Sequence, residues 1–507
     1  MEHSSTTESA DIVVIGAGIS GIGATEHLKR DLPGKSLLLL ESRHSIGGTW
    51  DLFRYPGIRS DSDLHTYGYE FKPWRHRSAI AEGPLIRDYL SETVTEFGLD
   101  KVLRLGHRVI SADWSSTEAK WTLHVTVTDK SGAATTKTIK AGFVFSATGY
   151  YRYDQGYTPH FEGRENFQGD VLHPQHWPED YDYSGKRVVI IGSGATAVTM
   201  VPAMLKGDRA AAHVTMLQRT PSYVASLPRV DKVALALTKL FGVRGGYAAT
   251  RFKNIWQDYL FVSLFSKYPN FGRKQLRKWM LKELPANSGV DTHFDPPYDP
   301  WDQRLCVTPD GEFFAALRQS SADVVTDRID RFTKDGILLT SGRTLEADLI
   351  VTATGMIMQM LGGIVPTVDG NAVTVSDSLL YRGALISGVP NWAMMLGYTK
   401  ASWTLRLSNV CRLAANVIHH MDANGYDTAI PVAPRGMPTQ DLLDLSAGYV
   451  QRAKADLPRQ GTALPWQMRT TFVQDNKLFK GQLIHRDIHF STGASEAVHR
   501  ARVGAQS

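Results

Sequence analysis

The chain has 507 residues, more than one hydrophobic core ordinarily accommodates, so its length predicts roughly three domains. Its hydrophobic content of 42% and charged content of 21% are typical of globular proteins, and a net charge of only +5 gives no support for nucleic-acid binding. The two cysteines, Cys306 and Cys411, are too few for a disulfide network and form no CxxC motif, which argues against a disulfide reductase and a zinc site.

The N-terminal segment MEHSSTTESA contains no apolar signal core. No apolar run in the chain approaches the ~20 residues that a membrane-spanning helix needs. We therefore expect a soluble, cytoplasmic protein, and we expect no bound metal.

The first predicted unit is a strand, a glycine-rich turn and a helix in the segment DIVVIGAGISGIGATEHL. Gly16 permits the tight turn, Gly18 lets the backbone approach a pyrophosphate, and Gly21 lets the helix pack closely on the strand. The helix N-terminus offers its amides to the phosphates, and Ser20 adds a hydroxyl. The next strand, SLLLLES, ends at Glu41, where the hydroxyls of a ribose need an acceptor. This unit predicts a Rossmann-like dinucleotide fold.

Two further segments, AGFVFSATG (Ala141 to Gly149) and DLIVTATG (Asp348 to Gly355), end alike and predict one completing strand for each of two dinucleotide folds. The alternating segments HRVISADW and WTLHVTVTD predict an antiparallel accessory sheet within the first fold.

The second unit, KRVVIIGSGATAVTMVPAM, repeats the strand, turn and helix, with Ala197 in the third small position. Its next strand, HVTMLQRT, carries Arg219 where the first unit has Glu41. An arginine there suits a 2′-phosphate, so the second nucleotide is predicted to be NADPH; the alternative is an ordinary surface arginine. The residues predicted to face this nucleotide are Gly192, Ser193, Gly194, Ala195, Thr196, Ala197 and Val198.

Two dinucleotide folds in one chain predict two cofactors held face to face, and FAD with NADPH is the natural pair for hydride transfer. The fold class is α/β, with two Rossmann-like domains and a helical insertion in the NADPH domain. The predicted ranges are 1–150 for the first part of the FAD domain, 151–229 for a linker and the first part of the NADPH domain, 230–300 for the insertion, 301–355 for the second part of the NADPH domain and 356–507 for the C-terminal part of the FAD domain.

Two long motifs carry a family resemblance. The pattern F-x-G-x-x-x-H-x-x-x-W-P is met by Phe167, Gly169, His173, Trp177 and Pro178. The pattern G-G-x-W-x-x-x-x-Y-P-G-x-x-x-D is met by Gly47, Gly48, Trp50, Tyr55, Pro56, Gly57 and Asp61. Over nearly its whole length the chain resembles the type I Baeyer–Villiger monooxygenases, and among them most closely the mycobacterial group that activates ethionamide.

The resemblance assigns cofactor contacts to three segments. It implies that Gly48, Thr49, Trp50, Asp51 and Leu52 line the FAD, although a buried core aromatic would also explain Trp50. It implies that Arg59, Ser60 and Asp61 reach toward the nicotinamide side, and that the backbone of Val109 meets the adenine of FAD.

The resemblance also implies a catalytic pair. Arg304 matches the family arginine that lies over the flavin and stabilises negative charge on oxygen, and Asp61 matches the acid that holds it. From the residues alone, a surface ion pair would explain both equally well. Familiar members of the family carry a lysine just before this arginine, whereas this chain has Gln303, so NADPH binding is expected to depend on Arg219, with Thr220 as a hydroxyl donor.

Between Val230 and Pro285 the chain becomes helical in pattern, aromatic and basic. We interpret this segment as an insertion with a solvated charged face and an apolar face on the substrate cavity. The alternative is an amphipathic surface that contacts an acidic membrane.

The resemblance therefore implies a monooxygenase that uses FAD, NADPH and O2 to convert small apolar ketones into esters or lactones and to oxidise the sulfur of thioamides and sulfides. The alternatives are a flavin monooxygenase restricted to nitrogen or sulfur, and a non-catalytic binding protein on the same scaffold. In the motif FQGDVLHPQHWPED, His173 is interpreted as part of a hinge between the two domains rather than as a catalyst or metal ligand.

Overall fold

The computed structural model describes residues 7–284, 288–303, 305–481, 483–484 and 486–492. The first strands are β1 (Glu8–Ile15), β2 (Leu37–Leu40), β3 (Leu103–Arg104), β4 (His107–Ser115), β5 (Lys120–Thr128), β6 (Ala134–Ser146), β7 (Tyr151–Gly156), β8 (Asp170–Leu172), β9 (Arg187–Ile191), β10 (His213–Gln218), β11 (Val224–Leu227), β12 (Cys306–Pro309), β13 (Ala322–Thr326) and β14 (Ile329–Thr333). The later strands are β15 (Gly336–Leu339), β16 (Thr344–Glu346), β17 (Leu349–Thr352), β18 (Met356–Met358), β19 (Pro366–Val368), β20 (Asn371–Ala372), β21 (Leu380–Tyr381), β22 (Leu385–Ile386), β23 (Trp392–Met394), β24 (Thr428–Pro431), β25 (Thr439–Asp441), β26 (Arg459–Gly461) and β27 (Ile488–Ser491).

Helices cover the sheets and form one long insertion. The α-helices are α1 (Ile19–Asp31), α2 (Thr49–Leu52), α3 (Leu64–Tyr67), α4 (Gly83–Glu96), α5 (Ala195–Ala203), α6 (Lys232–Lys267), α7 (Pro269–Glu283), α8 (Val290–His293), α9 (Glu312–Arg318), α10 (Leu407–Asn424), α11 (Gly448–Ala453) and α12 (Phe472–Phe479). Short 3₁₀ turns are found at Arg164–Asn166, Pro174–His176, Met360–Gly363, Val375–Asp377 and Trp403–Arg406.

The first unit is built on a parallel run of strands in the order β3, β2, β1, β6 and β23. Ile15, the last residue of β1, is opposite Leu40 of β2 and Ser146 of β6, so three strands end together beside the first glycine turn. Strands β4, β5 and the first part of β6 pair antiparallel, which confirms the predicted accessory sheet.

The second unit is an all-parallel sheet in the order β13, β10, β9, β17 and β8. Strand β9 is central, as β1 is in the first unit, and its Ile191 is opposite Leu217 of β10 and Thr352 of β17. The prediction of two Rossmann-like dinucleotide folds is therefore confirmed, and the edge strand β8 comes from the motif FQGDVLHPQHWPED.

The segments SATG and TATG, at the ends of the completing strands β6 and β17, have the same role: each passes over the glycine turn of its unit. Gly16 has a φ of +101°, and a Cβ there would lie 2.7 Å from the carbonyl oxygen of Ala147. In the second unit a Cβ on Gly192 would lie 2.4 Å from the carbonyl oxygen of Ala353. In both units the chain that leaves the completing strand therefore passes directly over the glycine turn, where only glycine leaves enough room.

Alternation along β1 divides the core of the first unit. Ile12 and Val14 pack into the cluster that contains α1, α4 and α10, whereas Val13 and Ile15 pack into the cluster on the opposite face. All four side chains are buried. A strand covered on both faces explains why this segment is continuously apolar.

The predicted insertion forms a helical hairpin followed by a third helix. Helix α6 contains a break at Gly242, whose φ is +69°, and α7 follows after Tyr268. A Cβ on Gly246 would lie 2.4 Å from Cα of Thr238, so the two halves of α6 fold back closely on each other. Over the described residues, no helix is both long enough and apolar enough to cross a membrane.

Candidate active site

The first glycine turn is held by Glu41. The carboxylate of Glu41 is buried, and its two oxygens accept hydrogen bonds from the backbone N–H of Ala17 at 2.8 Å and of Arg43 at 2.9 Å. Oε1 also accepts from the hydroxyl of Ser42 at 3.2 Å, whereas Oε2 has a further lone pair that is available to a ribose hydroxyl. Helix α1 begins after Gly18 with no side chain capping its N-terminus, an arrangement that suits a phosphate.

Trp403 completes the first turn from a distant part of the sequence. Its indole Nε1–H donates to Oγ of Ser20 at 2.8 Å, which leaves the Ser20 hydroxyl proton available to an anion. The ring also lies against Gly397, where a Cβ would come within 2.3 Å of it, and stacks on Tyr150 at 4.9 Å between ring centroids. Two residues after Gly397, Oγ1 of Thr399 is buried and has no hydrogen-bond partner among the described residues.

Asp51 is the centre of a buried ionic cluster. Its carboxylate pairs with Arg43 at 2.8 Å and Arg54 at 2.7 Å, lies 3.7 Å from Arg87, and accepts a short hydrogen bond from Ser45. A second carboxylate, the exposed Glu179, lies 3.4 Å from Arg54, so three guanidinium groups face two carboxylates. The positive charge in excess beside the glycine turn favours a bound pyrophosphate. The family resemblance assigned Asp51 to the cofactor but gave no sign of its three arginine partners.

The GGTW segment contacts both the glycine turn and the chain that leaves the first unit. Gly48 has a φ of +56°, and a Cβ there would lie 3.0 Å from Cα of Gly18 and 3.2 Å from the hydroxyl of Tyr153. Thr49 and Tyr153 share a hydrogen bond of 3.3 Å, and burial raises the pKa of Tyr153 to about 12. The indole N–H of Trp50 donates to the hydroxyl of Tyr67 at 2.9 Å. Sequence reasoning missed Tyr153, because its position depends on the path of β7.

The same segment continues into the second unit. Leu52 and Ile58 pack against the hydrophobic cluster of α5, β9 and β10, and Tyr55 is buried within that cluster. The Tyr55 hydroxyl is hydrogen-bonded to Thr196 at the start of α5, and burial raises its pKa well above the usual range. A Cβ on Gly57 would lie 2.6 Å from Cβ of Ala203, so this glycine permits close contact with α5.

The three residues that follow have different surroundings. Arg59 is buried and pairs with Glu312 of α9 at 3.0 Å, while its other amino group donates to the carbonyl oxygen of Val307. Ser60 is buried and donates to the carbonyl oxygen of Ser62 at 2.8 Å. Asp61 interacts electrostatically with Tyr55 and Arg59, and also with Cys306.

Arg304 lies outside the described residues, so its predicted role over the flavin stays a prediction. Cys306, two positions further along the chain, lies close enough to Asp61 to feel its charge, and its thiol donates to the carbonyl oxygen of Ser193 at 3.8 Å. Burial raises the pKa of this thiol well above its ordinary value, so it is not a nucleophile at neutral pH. The acid and the strand after the predicted arginine therefore meet beside the second glycine turn.

The second glycine turn is more open than the first. Within the part of the chain that the structure describes, a Cβ on Gly194 would meet no atom within 4 Å, and no side chain caps the start of α5. The hydroxyl of Ser193 donates to the carbonyl oxygen of Thr220 at 2.9 Å, which joins the turn to the loop after β10. Arg219 is exposed in that loop, and no described residue pairs with its guanidinium. Ala197 and Val198 are buried in the core, whereas Ala195 and Thr196 are half-buried at the helix start.

Two other predicted positions have less distinctive surroundings. Val109 is buried on β4, beside the end of β2, because the backbone N–H of His107 donates to the carbonyl oxygen of Glu41 at 2.7 Å. Gln303 forms an isolated backbone bridge with Pro300.

The motif FQGDVLHPQHWPED forms hydrogen bonds with both chain segments that connect the two units. The chain leaves the first unit through β7 and returns through β18, and these two strands pair antiparallel. His173 Nε2 contacts the carbonyl oxygen of Gly355 at 3.2 Å, and its Nδ1 accepts from the backbone N–H of Gln175 at 3.1 Å. The Gln175 side chain donates to the carbonyl oxygens of Arg152 and Tyr153 on β7. Burial lowers the pKa of His173, which fits a neutral ring with Nε2 protonated.

Comparison with protein families gives two matches. Residues 14–76 match the NAD(P)-binding Rossmann-like domain, and residues 76–282 match the flavin-binding monooxygenase-like family.

Among individual proteins, the chain is 44% identical over 487 residues to the FAD-containing monooxygenase EthA of Mycobacterium tuberculosis strain H37Rv, covering 96% of this chain and 98% of that protein. It is 46% identical over 475 residues to the probable FAD-binding monooxygenase AlmA of Acinetobacter baylyi, covering 93% of each.

Solved structures share the fold at lower identity. A steroid monooxygenase bound to NADP matches with a TM-score of 0.73 and 22% identity, covering 96% of this chain and all of that one. A cyclohexanone monooxygenase bound to ε-caprolactone matches with a TM-score of 0.72 and 20% identity over the same shares. At this level of identity the likeness concerns the fold.

Proposed function

Because the chain belongs to the flavin-binding monooxygenase-like family, we propose that it is an FAD-containing, NADPH-dependent monooxygenase of the Baeyer–Villiger type. The reaction inserts one oxygen atom of O2 between the carbonyl carbon and a neighbouring carbon of a small apolar ketone, which gives an ester or a lactone. The second oxygen atom leaves as water, and NADPH and a proton supply the reducing equivalents.

One observation carries this proposal: a single short segment contacts both glycine turns. Gly48, at its start, lies against Gly18 of the first turn. Tyr55 and Gly57, a few residues later, contact the first residues and the body of α5, which begins at the second turn. Two dinucleotides bound at these turns would be held by one continuous piece of backbone, which fixes their relative position for direct hydride transfer.

The residues of the first unit fit FAD. Glu41 offers acceptor oxygens for ribose hydroxyls, the uncapped N-terminus of α1 and the hydroxyl of Ser20 suit the pyrophosphate, and the arginines around Asp51 add positive charge. Among the described residues the buried Oγ1 of Thr399 has no hydrogen-bond partner, and a flavin oxygen or nitrogen would satisfy this polar atom.

The residues of the second unit fit NADPH. The N-terminus of α5 suits the pyrophosphate, and the exposed guanidinium of Arg219 suits the 2′-phosphate. An acid in the place of Arg219 would repel that phosphate. We therefore propose that NADPH is preferred over NADH.

When bound, FAD accepts the hydride of NADPH and, with O2, supplies the oxygen atom that is transferred. The residues of the chain contribute positive charge near the reacting oxygen and enclose the reacting groups. We propose that Arg304 stabilises the negative charge that develops on oxygen when the ketone is attacked, and that Asp61 orients it. Arg59, which pairs with Glu312, ties the segment that carries Asp61 to α9 of the second unit and so keeps the two units together around the reacting groups.

Oxidation of sulfur in thioamides and sulfides is a second candidate activity. It is supported by the resemblance to the mycobacterial group that activates ethionamide, a thioamide, and by the 44% identity to the FAD-containing monooxygenase EthA across almost the whole chain. The same bound cofactors can serve both reactions, because sulfur is itself the nucleophile and needs no stabilised adduct at a carbonyl carbon.

An Arg304→Ala variant tests the proposal. We expect it to retain FAD and to be reduced by NADPH under anaerobic conditions, but to lose ester formation by about a hundredfold or more, since an oxyanion-stabilising group is removed. Arg304→Lys keeps a positive charge and should recover part of the activity.

Each variant is incubated in air with NADPH and either a panel of ketones or a thioamide, and products are identified by mass spectrometry. Unchanged ester formation in Arg304→Ala would overturn the role of Arg304. If the wild-type enzyme oxidised only the thioamide, it would be a sulfur monooxygenase, and if it bound no FAD it would be a binding protein rather than an enzyme.

A further inference from the structure

The helical insertion exposes an unusual amount of apolar surface. In the described part of the chain, eighteen large hydrophobic side chains are exposed, and fourteen of them lie between Leu227 and Leu281. Scattered exposed hydrophobic residues need no explanation, but a concentration of this kind marks an interaction site.

Four of these side chains form a line, which we call the apolar ridge: Phe252, Trp256, Leu260 and Leu264 of α6. Residues four apart in a helix lie on the same face, so the ridge runs along one side of α6 for more than three turns. Phe252 and Leu260 are 67% and 61% exposed, and the rings of Phe252 and Trp256 are in contact at 6.3 Å between centroids.

The bend of the helical hairpin carries a second exposed group, which we call the hairpin tip: Leu240, Phe241 and Val243. They flank Gly242, whose left-handed backbone turns the chain. Leu240 is the most exposed large hydrophobic residue of the described chain, at 72%. Lys239 and Arg244 adjoin the tip on either side and are also exposed.

The opposite side of α6 is fixed to the protein, so the ridge cannot turn inward. Arg251 donates to the carbonyl oxygens of His65, Thr66 and Gly68 at the end of α3. Asn254 donates to Asp63 at 2.8 Å, and the hydroxyl of Tyr247 donates to the carbonyl oxygen of Tyr69. These contacts use one face of the helix and leave the apolar ridge facing solvent.

The charge of the insertion selects among partners. From Lys232 to Glu283 the chain has eleven Lys and Arg residues against two acidic ones. Three of these cations pair with aspartates just outside that stretch: Lys253 with Asp231, Arg273 with Asp299 and Arg277 with Asp291. Residues 230–300 together still carry a net charge of +5, as much as the whole chain. Two copies of such a surface would repel each other, which disfavours pairing of this face with itself. An anionic surface would be attracted, and a bilayer of acidic phospholipid also accepts apolar side chains.

We propose that this face of the insertion is a docking surface for an anionic phospholipid membrane. The apolar ridge and the hairpin tip enter the boundary between headgroups and acyl chains, and the surrounding Lys and Arg residues contact the headgroups. The enzyme then rests on the membrane without crossing it. The inference is independent of the reaction assigned above, because it concerns binding alone.

Sedimentation of the full-length, FAD-loaded protein with lipid vesicles tests the proposal. We expect the wild type to bind vesicles of phosphatidylglycerol and phosphatidylcholine at low salt, to bind pure phosphatidylcholine far more weakly, and to lose most binding at high salt. Phe252→Ser/Leu260→Ser should weaken binding by at least about tenfold, because two large apolar anchors are removed. Lys239→Glu/Arg244→Glu should weaken it by about fivefold for each cation removed.

Matched controls lie elsewhere on the surface. Ile110→Ser/Val365→Ser removes two side chains that are 50% and 56% exposed but lie outside the insertion, and Lys130→Glu/Lys334→Glu makes the same change in net charge at exposed sites. Both should bind vesicles as the wild type does. The proposal is overturned if the wild type does not bind acidic vesicles, or if the control pairs lose as much binding as the ridge and tip pairs. It is also overturned if the ridge pair converts a dimer to a monomer without changing vesicle binding.

Discussion

The two glycine turns of this protein share one backbone design but differ in how tightly they are enclosed. In the first, a Cβ on Gly21 would lie 1.7 Å from the carbonyl oxygen of Gly16, and Trp403 and Gly48 pack against the turn. In the second, the counterpart of Gly21 is Ala197, which already carries a Cβ, and a Cβ on Gly194 would meet no atom of the described residues within 4 Å. The residue after the second strand is buried Glu41 in the first unit and exposed Arg219 in the second.

This difference matches the two demands of the proposed reaction. A resident flavin must stay bound through many turnovers, so its turn is covered by elements that come from distant parts of the sequence. A nicotinamide cofactor must enter and leave, so its turn stays open and its recognition residue lies at the surface. The enclosure of each turn therefore predicts how each cofactor is used, beyond what the glycine motifs alone indicate.

The largest expected effect comes from exchanging glycine for alanine at the two turns. Gly21→Ala introduces a methyl group that overlaps a backbone oxygen, so we expect a loss of about 3 kcal/mol of folding stability and loss of FAD from the purified protein. The methyl group of Gly194→Ala would occupy free space, so folding stability and flavin content should stay unchanged while NADPH binding weakens. Thermal unfolding and the ratio of flavin to protein measure the difference, and equal behaviour of the two variants would contradict the comparison.

A smaller effect is expected at Arg219. Arg219→Ala should raise the KM for NADPH by about tenfold to a hundredfold, because charge-assisted hydrogen bonds to the 2′-phosphate are lost, and should leave the KM for NADH unchanged. Arg209→Ala removes the same charge at the opposite edge of the sheet, before β10, and serves as the control. Equal increases in the KM for NADPH and for NADH would show that Arg219 does not recognise the 2′-phosphate.

The contact between the two units predicts an effect on hydride transfer. Tyr55→Phe deletes the hydrogen bond to Thr196 but keeps the ring, so stability should fall by only about 1 kcal/mol while anaerobic flavin reduction by NADPH slows. Thr196→Val deletes the same bond from the other side. If the bond acts as proposed, the double variant should be no slower than either single variant, whereas additive losses would contradict it.

The smallest expected effect concerns His173 at the connections between the units. Its pKa is lowered by burial, so the stability it contributes is present above its ordinary pKa of about 6.5 and is lost as the pH falls below that value. The melting temperature of the wild type should therefore fall relative to His173→Gln between about pH 6.5 and pH 5, by the equivalent of ~1 kcal/mol or less. If the melting temperatures of the wild type and of His173→Gln changed with pH in parallel, titration of His173 would not contribute to stability.

His173 is also expected to affect how tightly NADPH consumption is coupled to product formation. His173→Ala should raise the fraction of NADPH consumed without product, because the ring no longer links Gly355 on the returning chain to Gln175. Hydrogen peroxide release per NADPH measures this fraction. If the amount of hydrogen peroxide released per NADPH stayed unchanged, the motif FQGDVLHPQHWPED would be a passive spacer between the two units.

Local patterns explain why much of this arrangement could be predicted from the sequence. The glycine turns, their strands and Glu41 lie within short stretches whose spacing has a direct physical meaning, and the accessory sheet follows from alternation in HRVISADW and WTLHVTVTD. The contacts of Trp403 with Ser20 and of Tyr153 with Thr49 could not be predicted, because they join residues more than 100 positions apart. For the insertion, the sequence left two interpretations open, an apolar face on the substrate cavity or an exposed amphipathic surface, since amphipathic spacing does not tell which face of a helix is covered.

Anaerobic mixing of the purified protein with NADPH tests the central claim most directly. The account predicts that the protein is yellow as isolated, and that NADPH bleaches the visible absorbance of its flavin faster and more completely than NADH does. A protein that binds no flavin, or whose flavin keeps its absorbance in the presence of NADPH, would contradict the claim that one segment brings two cofactor sites together for hydride transfer.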